Sequence, residues 1–224
     1  MTELAQPVTA YRAVARPARP LLVAGALAGP IYVVVGAVEA AARDGFDITR
    51  HSLSLLANGD GGWVHSAMMV ITGLLTVAGA VGLARTPAAH RSPWAIRGLF
   101  VYGAGVAAGG LMRADPMDGF PIGTPDGPPG TVTWHGMGHL AAGGIGFLGL
   151  IVACLVLARA FGRRRQRGWA VFSLVTGVYY VVAFAGIATG AGNGAVIVAF
   201  CVAVMLGWTW ITLLMYRAAR SPPH

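Results

Sequence analysis

Charge is scarce in this chain. Only 11% of its 224 residues are Asp, Glu, Lys or Arg, against about 25% in an ordinary soluble domain. The 8 carboxylates are fewest, and every one of the 16 cations is an arginine. A disordered chain needs high charge and low hydrophobicity, so that class is excluded. Cysteine is almost lacking. Cys154 and Cys201 both lie in apolar runs, and there is no CxxC pair. An extracellular disulfide framework is therefore excluded, and the thiols read as small apolar fillers. A standard signal peptide is lacking too. Residues 1–20 carry Arg12, Arg16 and Arg19, and the apolar run from Leu21 to Ala42 exceeds a signal h-region of about 7–15 residues. It reads as an uncleaved membrane span.

What is abundant is apolar sequence in long blocks. Hydrophobic residues make up 56% of the chain and glycine supplies 33 positions without a collagen period. Six blocks are long enough to cross about 30 Å of hydrocarbon as helices. They lie at Leu21–Ala42, Trp63–Ala84, Trp94–Met112, Gly136–Ala158, Trp169–Thr189 and Ala195–Tyr216. The expected fold is all-α, a six-transmembrane-helix bundle over residues 21–216, with tails at 1–20 and 217–224. Trp63, Trp94 and Trp169 each open a span, where an amphipathic ring suits the interface. Gly25–Gly29, Gly105–Gly109 and Gly186–Gly190 have small-xxx-small spacing, which permits close helix contact within the chain or between chains.

The few charges orient the bundle. Arginines of the N-terminal tail, the second-to-third and fourth-to-fifth connections and the C-terminal tail account for 13 of the 16. The other side keeps Arg43, Arg50 and Arg113, with Asp44, Asp47, Asp60, Asp115, Asp118 and Asp126. The positive-inside rule then expects cytoplasmic termini in a multi-pass protein of the cell inner or plasma membrane. The Arg163–Arg167 run reads as a topological signal lying on anionic headgroups. It lacks the interleaved aromatics of a nucleic-acid site, so no nucleic acid is expected as a partner.

Topology does not require histidines and carboxylates on the opposite side, and function is sought there. His135 and His139 stand four apart at the start of the fourth span, on one helix face. Such a pair binds zinc or another transition metal, with His65, Asp115 or Asp118 as a third ligand; alternatively it is an interfacial pair bonded to nearby loops. Residue 136 is Gly, so this is not the zincin motif. Asp115 follows the third span, near a helix C-terminus that disfavours an anion; Arg113, a metal or a cationic ligand could compensate it, the alternative to catalysis being an ion-paired cap that shapes the outer loop. Asp118-Gly119 favours a turn. Asp47 to Ser54 gathers acid, base, hydroxyl and guanidinium, which suits a phosphate or headgroup, with Arg50 as the planar fork. His51 beside Ser52 does not establish a base–nucleophile pair. Glu39 lies about one turn below the outer boundary and needs a partner there: His65, His139 or Arg113.

With these residues in view, the chain resembles the bacterial and archaeal membrane family called domain of unknown function 998. The resemblance rests on the acidic loop leading to His51-Ser-Leu-Ser54, on Arg113-Ala-Asp-Pro116, and on His135 with His139. It spans Leu21 to Tyr216, implies the same six-helix organisation and brings no established reaction. A looser similarity links it to membrane hydrolases of the alkaline ceramidase and adiponectin-receptor type. That similarity implies His65, His135 and His139 as candidate zinc ligands, Asp115 as a group bonded behind those ligands or as general base, and Ser52 as a water- or substrate-orienting group; Glu39 is a further catalytic candidate by its own position. Here there are six spans rather than seven, and the paired histidines lie in the fourth.

Three functions compete. The first is a binding, transport or accessory protein. Its outer site, including Arg50, His51, Arg113 and Asp118, recognises a lipid headgroup, a small solute or a membrane-protein partner. The second is a metal-dependent hydrolase acting on a lipid or amphipathic substrate. The third is haem ligation by His65 and His139.

Overall fold

The computed structural model describes residues 18–86, 92–189 and 193–220. Six long helices carry the fold: α1 (Ala18–Ala42), α2 (Gly62–Ala84), α3 (Pro93–Leu111), α4 (Trp134–Arg163), α5 (Arg167–Ala188) and α6 (Gly194–Arg220). A short 3-10 helix, Leu53–Ala57, lies in the α1–α2 connection. All six long helices are apolar enough to cross a membrane. The expected spans are therefore present. α1 starts before Leu21 and α6 continues past Tyr216, so Ala18–Pro20 and Arg217–Arg220 are helical rather than tail.

Local chemistry sets the helix ends. Ser92 caps α3, its Oγ accepting the Ala95 amide, and Pro93 follows in the first turn, where its missing N–H costs nothing. Thr133 caps α4 by accepting the Gly136 amide at 3.1 Å. At 30 residues α4 is about 45 Å long at 1.5 Å per residue. It overreaches about 30 Å of hydrocarbon, so Trp134 and Arg163 fall beyond the apolar layer at its two ends.

The helices form a closed ring. Each packs on its neighbours in sequence, and α6 closes onto α1. Glycine makes those contacts close. A Cβ at Gly25 would stand 2.7 Å from the Gly79 Cα, and one at Gly103 would stand 2.7 Å from the Gly73 carbonyl oxygen. Gly105 meets the Gly146 backbone in the same way. The small-residue spacings at Gly25–Gly29 and Gly105–Gly109 thus serve contacts inside the chain, whereas Gly190 lies outside the described residues. Aromatic rings fill the ring's centre. Trp208 of α6 stacks on Tyr32 of α1 at 4.8 Å and meets Tyr102 of α3 at 5.4 Å. Outward faces carry exposed Val34, Val38, Leu74, Leu148 and Val182, the surface that hydrocarbon tolerates and water does not.

The six crossings divide the connections between two ends. Among the described residues, every carboxylate lies at or near one end and the arginine-rich connections lie at the other.

Candidate functional site

At the carboxylate-bearing end, segments 43–61 and 112–133 fold together as a cap over the bundle. Asp118 (φ 55) and Gly119 (φ 88) turn the second segment sharply, closing a Met117–Phe120 bridge. This is the turn that Asp-Gly favours. His51 joins the two segments. It is 2% exposed, its ring packed against both Phe46 and Phe120 at 5.4 and 5.5 Å, two rings that also meet each other. The Asp47 amide donates to His51 Nδ1 at 2.9 Å. Nε2 lies 2.9 Å from the Asp118 carbonyl oxygen. A carbonyl accepts only, so Nε2 carries the proton and the imidazole is neutral.

Other groups complete the cap. Asp47 accepts the Thr49 amide at 2.8 Å and its hydroxyl at 2.7 Å. These bonds, the hydroxyl first, hold its carboxyl below the usual aspartate range. Arg50 pairs with Asp126 at 2.8 Å across exposed surface. That bond lifts the guanidinium still higher, although an exposed pair of this kind adds little to stability. Arg43 donates to the Leu56 and Asn58 carbonyls and lies over the Phe120 ring. Asn58 donates to the Ala114 carbonyl at 3.0 Å. The sequence reading missed Arg43, Asn58, Phe120 and Thr133 as builders of this end. The Asn58-Gly59 turn dipeptide and a Thr just before a helical block were the available signals.

Asp115 is corrected by the structure. It does not lean on Arg113. Its two carboxylate oxygens take the Thr133 hydroxyl at 2.6 Å and the Thr133 amide at 3.0 Å. It thus sits at the N-terminus of α4, the helix end that favours an anion, and a Cβ at Gly136 would collide with it. Both oxygens being committed to the cap, Asp115 is not placed as a general base. Ser52 is likewise not paired with a base. Its Oγ lies 3.4 Å from Ser54 Oγ, while both nitrogens of His51 are engaged by the main chain. Asp118 supplies its carbonyl, not its carboxylate, to that bond.

Beneath the cap, Glu39 faces His65. Glu39 Oε2 and His65 Nδ1 are 2.8 Å apart, and both residues are buried. Of the three partners considered from sequence, the structure selects this one. The pairing relieves the cost of a carboxylate at membrane depth and fixes the imidazole's orientation. The Tyr32 ring meets the His65 ring edge-on at 6.2 Å. Nε2 of His65 is buried and makes no hydrogen bond among the described residues.

His135 and His139 separate despite their helical spacing. His139 turns inward, and its Nδ1 lies 2.9 Å from both the Gly109 and Met112 carbonyls, donating to the frayed end of α3. His135 is exposed and its ring lies tilted against Trp134, centroids 3.9 Å apart, because the first turn of α4 stands above the end of α3. No three His, Cys, Asp or Glu side chains among the described residues come together to hold a metal. The expected set of His65, His135 and His139 therefore does not converge. The haem pair fares no better. The glycine end of α3 fills the space between α2 and α4, with Gly110 against Ser66 and Met69, and Gly109 against Met69 and His139.

The sequence pattern of the family described as protein of unknown function (DUF998) matches residues 26–217. The chain belongs to this family. It is a DUF998 integral membrane protein, and the match takes in all six helices and the whole cap. No match is found among curated proteins or among solved structures.

Arg113, His135 and the Asp118 carboxylate are thus candidate groups that make no hydrogen bond or ion pair within the cap among the described residues. Arg113 is exposed and makes no hydrogen bond or ion pair among the described residues. The backbone on both sides of it is pinned to α4, through Met112 to His139 and Asp115 to Thr133.

Proposed function

We propose that this DUF998 protein is a non-enzymatic, multi-pass protein of the plasma or inner membrane that holds a phosphate-bearing headgroup at its outer face. Its termini are cytoplasmic in this reading, supported by the 13 of 16 arginines that lie on the side of the tails. The observation that carries the proposal is the division of labour in the cap. Asp115, His51 and Asp47 are spent on main-chain and capping bonds, whereas Arg113 and His135 are exposed, His135 against Trp134. A guanidinium with an imidazole suits a phosphate oxygen cluster, and the indole suits headgroup depth.

The test is phospholipid retained by the purified protein, measured by mass spectrometry. Arg113→Gln combined with His135→Gln is expected to lower retained lipid while leaving the melting temperature unchanged. Unchanged retention overturns the reading. So does a stoichiometric metal that is lost in His139→Ala, which would return the hydrolase to first place.

A further inference from the structure

A second site lies at the opposite end. An open-sided cavity of about 320 Å³ sits where the start of α5 meets the end of α6, lined by Gln166, Arg167, Gly168, Trp169, Phe172 and Arg217. Arg217 packs beside two aromatic rings, Phe161 and Trp169, which also meet each other at 5.7 Å. Its guanidinium carbon is 5.3 Å from the Phe161 ring centre and 4.8 Å from that of Trp169. Its Nη2 donates to Gln166 Oε1 at 2.9 Å. Topology needs only positive charge, and the exposed Arg163, Arg164 and Arg165 supply it. It does not need a guanidinium held against a pair of aromatic rings and bonded to a glutamine carbonyl.

Arg167 adds an electrostatic conflict. It is exposed at the cavity rim and makes no hydrogen bond or ion pair among the described residues. It is also the first residue of α5, a helix with no acid in its first turn and no side-chain bond from its cap residue Gln166. A helix N-terminus favours an anion and repels a cation. Every described carboxylate lies at the far end of the bundle, so nothing in the described chain resolves the conflict. A bound anion does.

The cavity also has an apolar continuation. Phe172 forms part of its wall, and exposed Val171, Leu174, Val175 and Val178 follow along α5. A soluble phosphate has no use for that track, whereas an acyl chain lies along it. We infer that this cavity binds an anionic phospholipid of the adjoining leaflet. Arg167 and the start of α5 hold the phosphate, the Arg217–Trp169 contact shapes the wall, and the exposed face of α5 carries a chain.

The test uses the full chain in phosphatidylcholine vesicles doped with phosphatidylglycerol or with further phosphatidylcholine, brominated on the acyl chains. Bromine quenches nearby tryptophan, and Trp169→Phe isolates the contribution of Trp169. Quenching of Trp169 by the anionic lipid is expected to be about fivefold more effective than by the zwitterionic one, the effect of about one arginine near an anionic surface. Arg167→Gln should abolish that preference, Arg217→Lys should weaken it, and Arg163→Gln should leave it intact. Equal quenching by the two lipids overturns the proposal. So does an equal loss in Arg163→Gln, which would mean diffuse charge rather than a site. Relief of quenching by millimolar inorganic phosphate would assign a soluble anion and overturn the lipid assignment.

Discussion

His51 should be the latch of the cap, and the size of its effect follows from its contacts. His51→Phe keeps a ring against Phe46 and Phe120 but removes the bonds from the Asp47 amide and to the Asp118 carbonyl. A neutral hydrogen bond contributes about 0.5–1.5 kcal/mol, so the pair is worth about 2 kcal/mol. His51→Ala also loses the packed ring and should cost about 3 kcal/mol. Those costs bear on cap opening rather than on the bundle, since the residue joins loops and not helices. Amide exchange at Asp47 should therefore quicken about 30-fold in the first variant and about 150-fold in the second, with α2 and α4 interiors unchanged. Arg50→Ala is the control. Arg50 and Asp126 also bridge the two segments, at 52% and 83% side-chain exposure, and losing that bond should change little. Exchange at Asp47 that is indifferent to both substitutions would refute the latch.

Two further predictions concern the groups behind the cap. Asp115→Asn and Thr133→Ala should each destabilise the start of α4 by about 1 kcal/mol, measured as faster exchange at the Gly136 amide; unaltered exchange there would remove the capping role. Glu39→Gln retains an acceptor for His65 and should melt within about 1 kcal/mol of the parent. Glu39→Ala leaves a buried donor unpaired and should cost about 2–3 kcal/mol more. Equal melting of the two variants would mean that the Glu39–His65 bond does not support the fold.

The helices were legible because hydrocarbon imposes one rule on every span: main-chain groups must bond internally over about 20 apolar residues. That rule acts residue by residue along the chain, so composition reveals it. The ends were blurred where side chains straddle the boundary. Arg19 and Arg217 belong to helices that project beyond the apolar layer, and a hydropathy reading assigns such turns to tails. The contact between Glu39 and His65 was legible in part for the same reason. A lone carboxylate at that depth demands a partner, and only a few residues at the same depth can supply one.

The cap was not legible because its bonds join residues far apart in sequence. His51 reaches Asp118, Asn58 reaches Ala114, and Arg50 reaches Asp126. Sequence lists such residues by chemistry, and chemistry alone made Asp115 a base short of a cation. Its neighbour in space is the start of α4, not the end of α3 that precedes it in the chain, and that reverses the sign of the local field. The same carboxylate is then stabilised without metal, ligand or Arg113. His135 and His139 fail as a pair for a related reason. Helical spacing sets angle about the axis, but not whether a turn lies below or above the end of the neighbouring helix. One turn of α4 separates a ring bonded to the terminal carbonyls of α3 from an exposed ring beside Trp134. Since the cap consumes most of the groups that resembled catalysts, the groups left over, Arg113, His135 and the Asp118 carboxylate, become the informative ones.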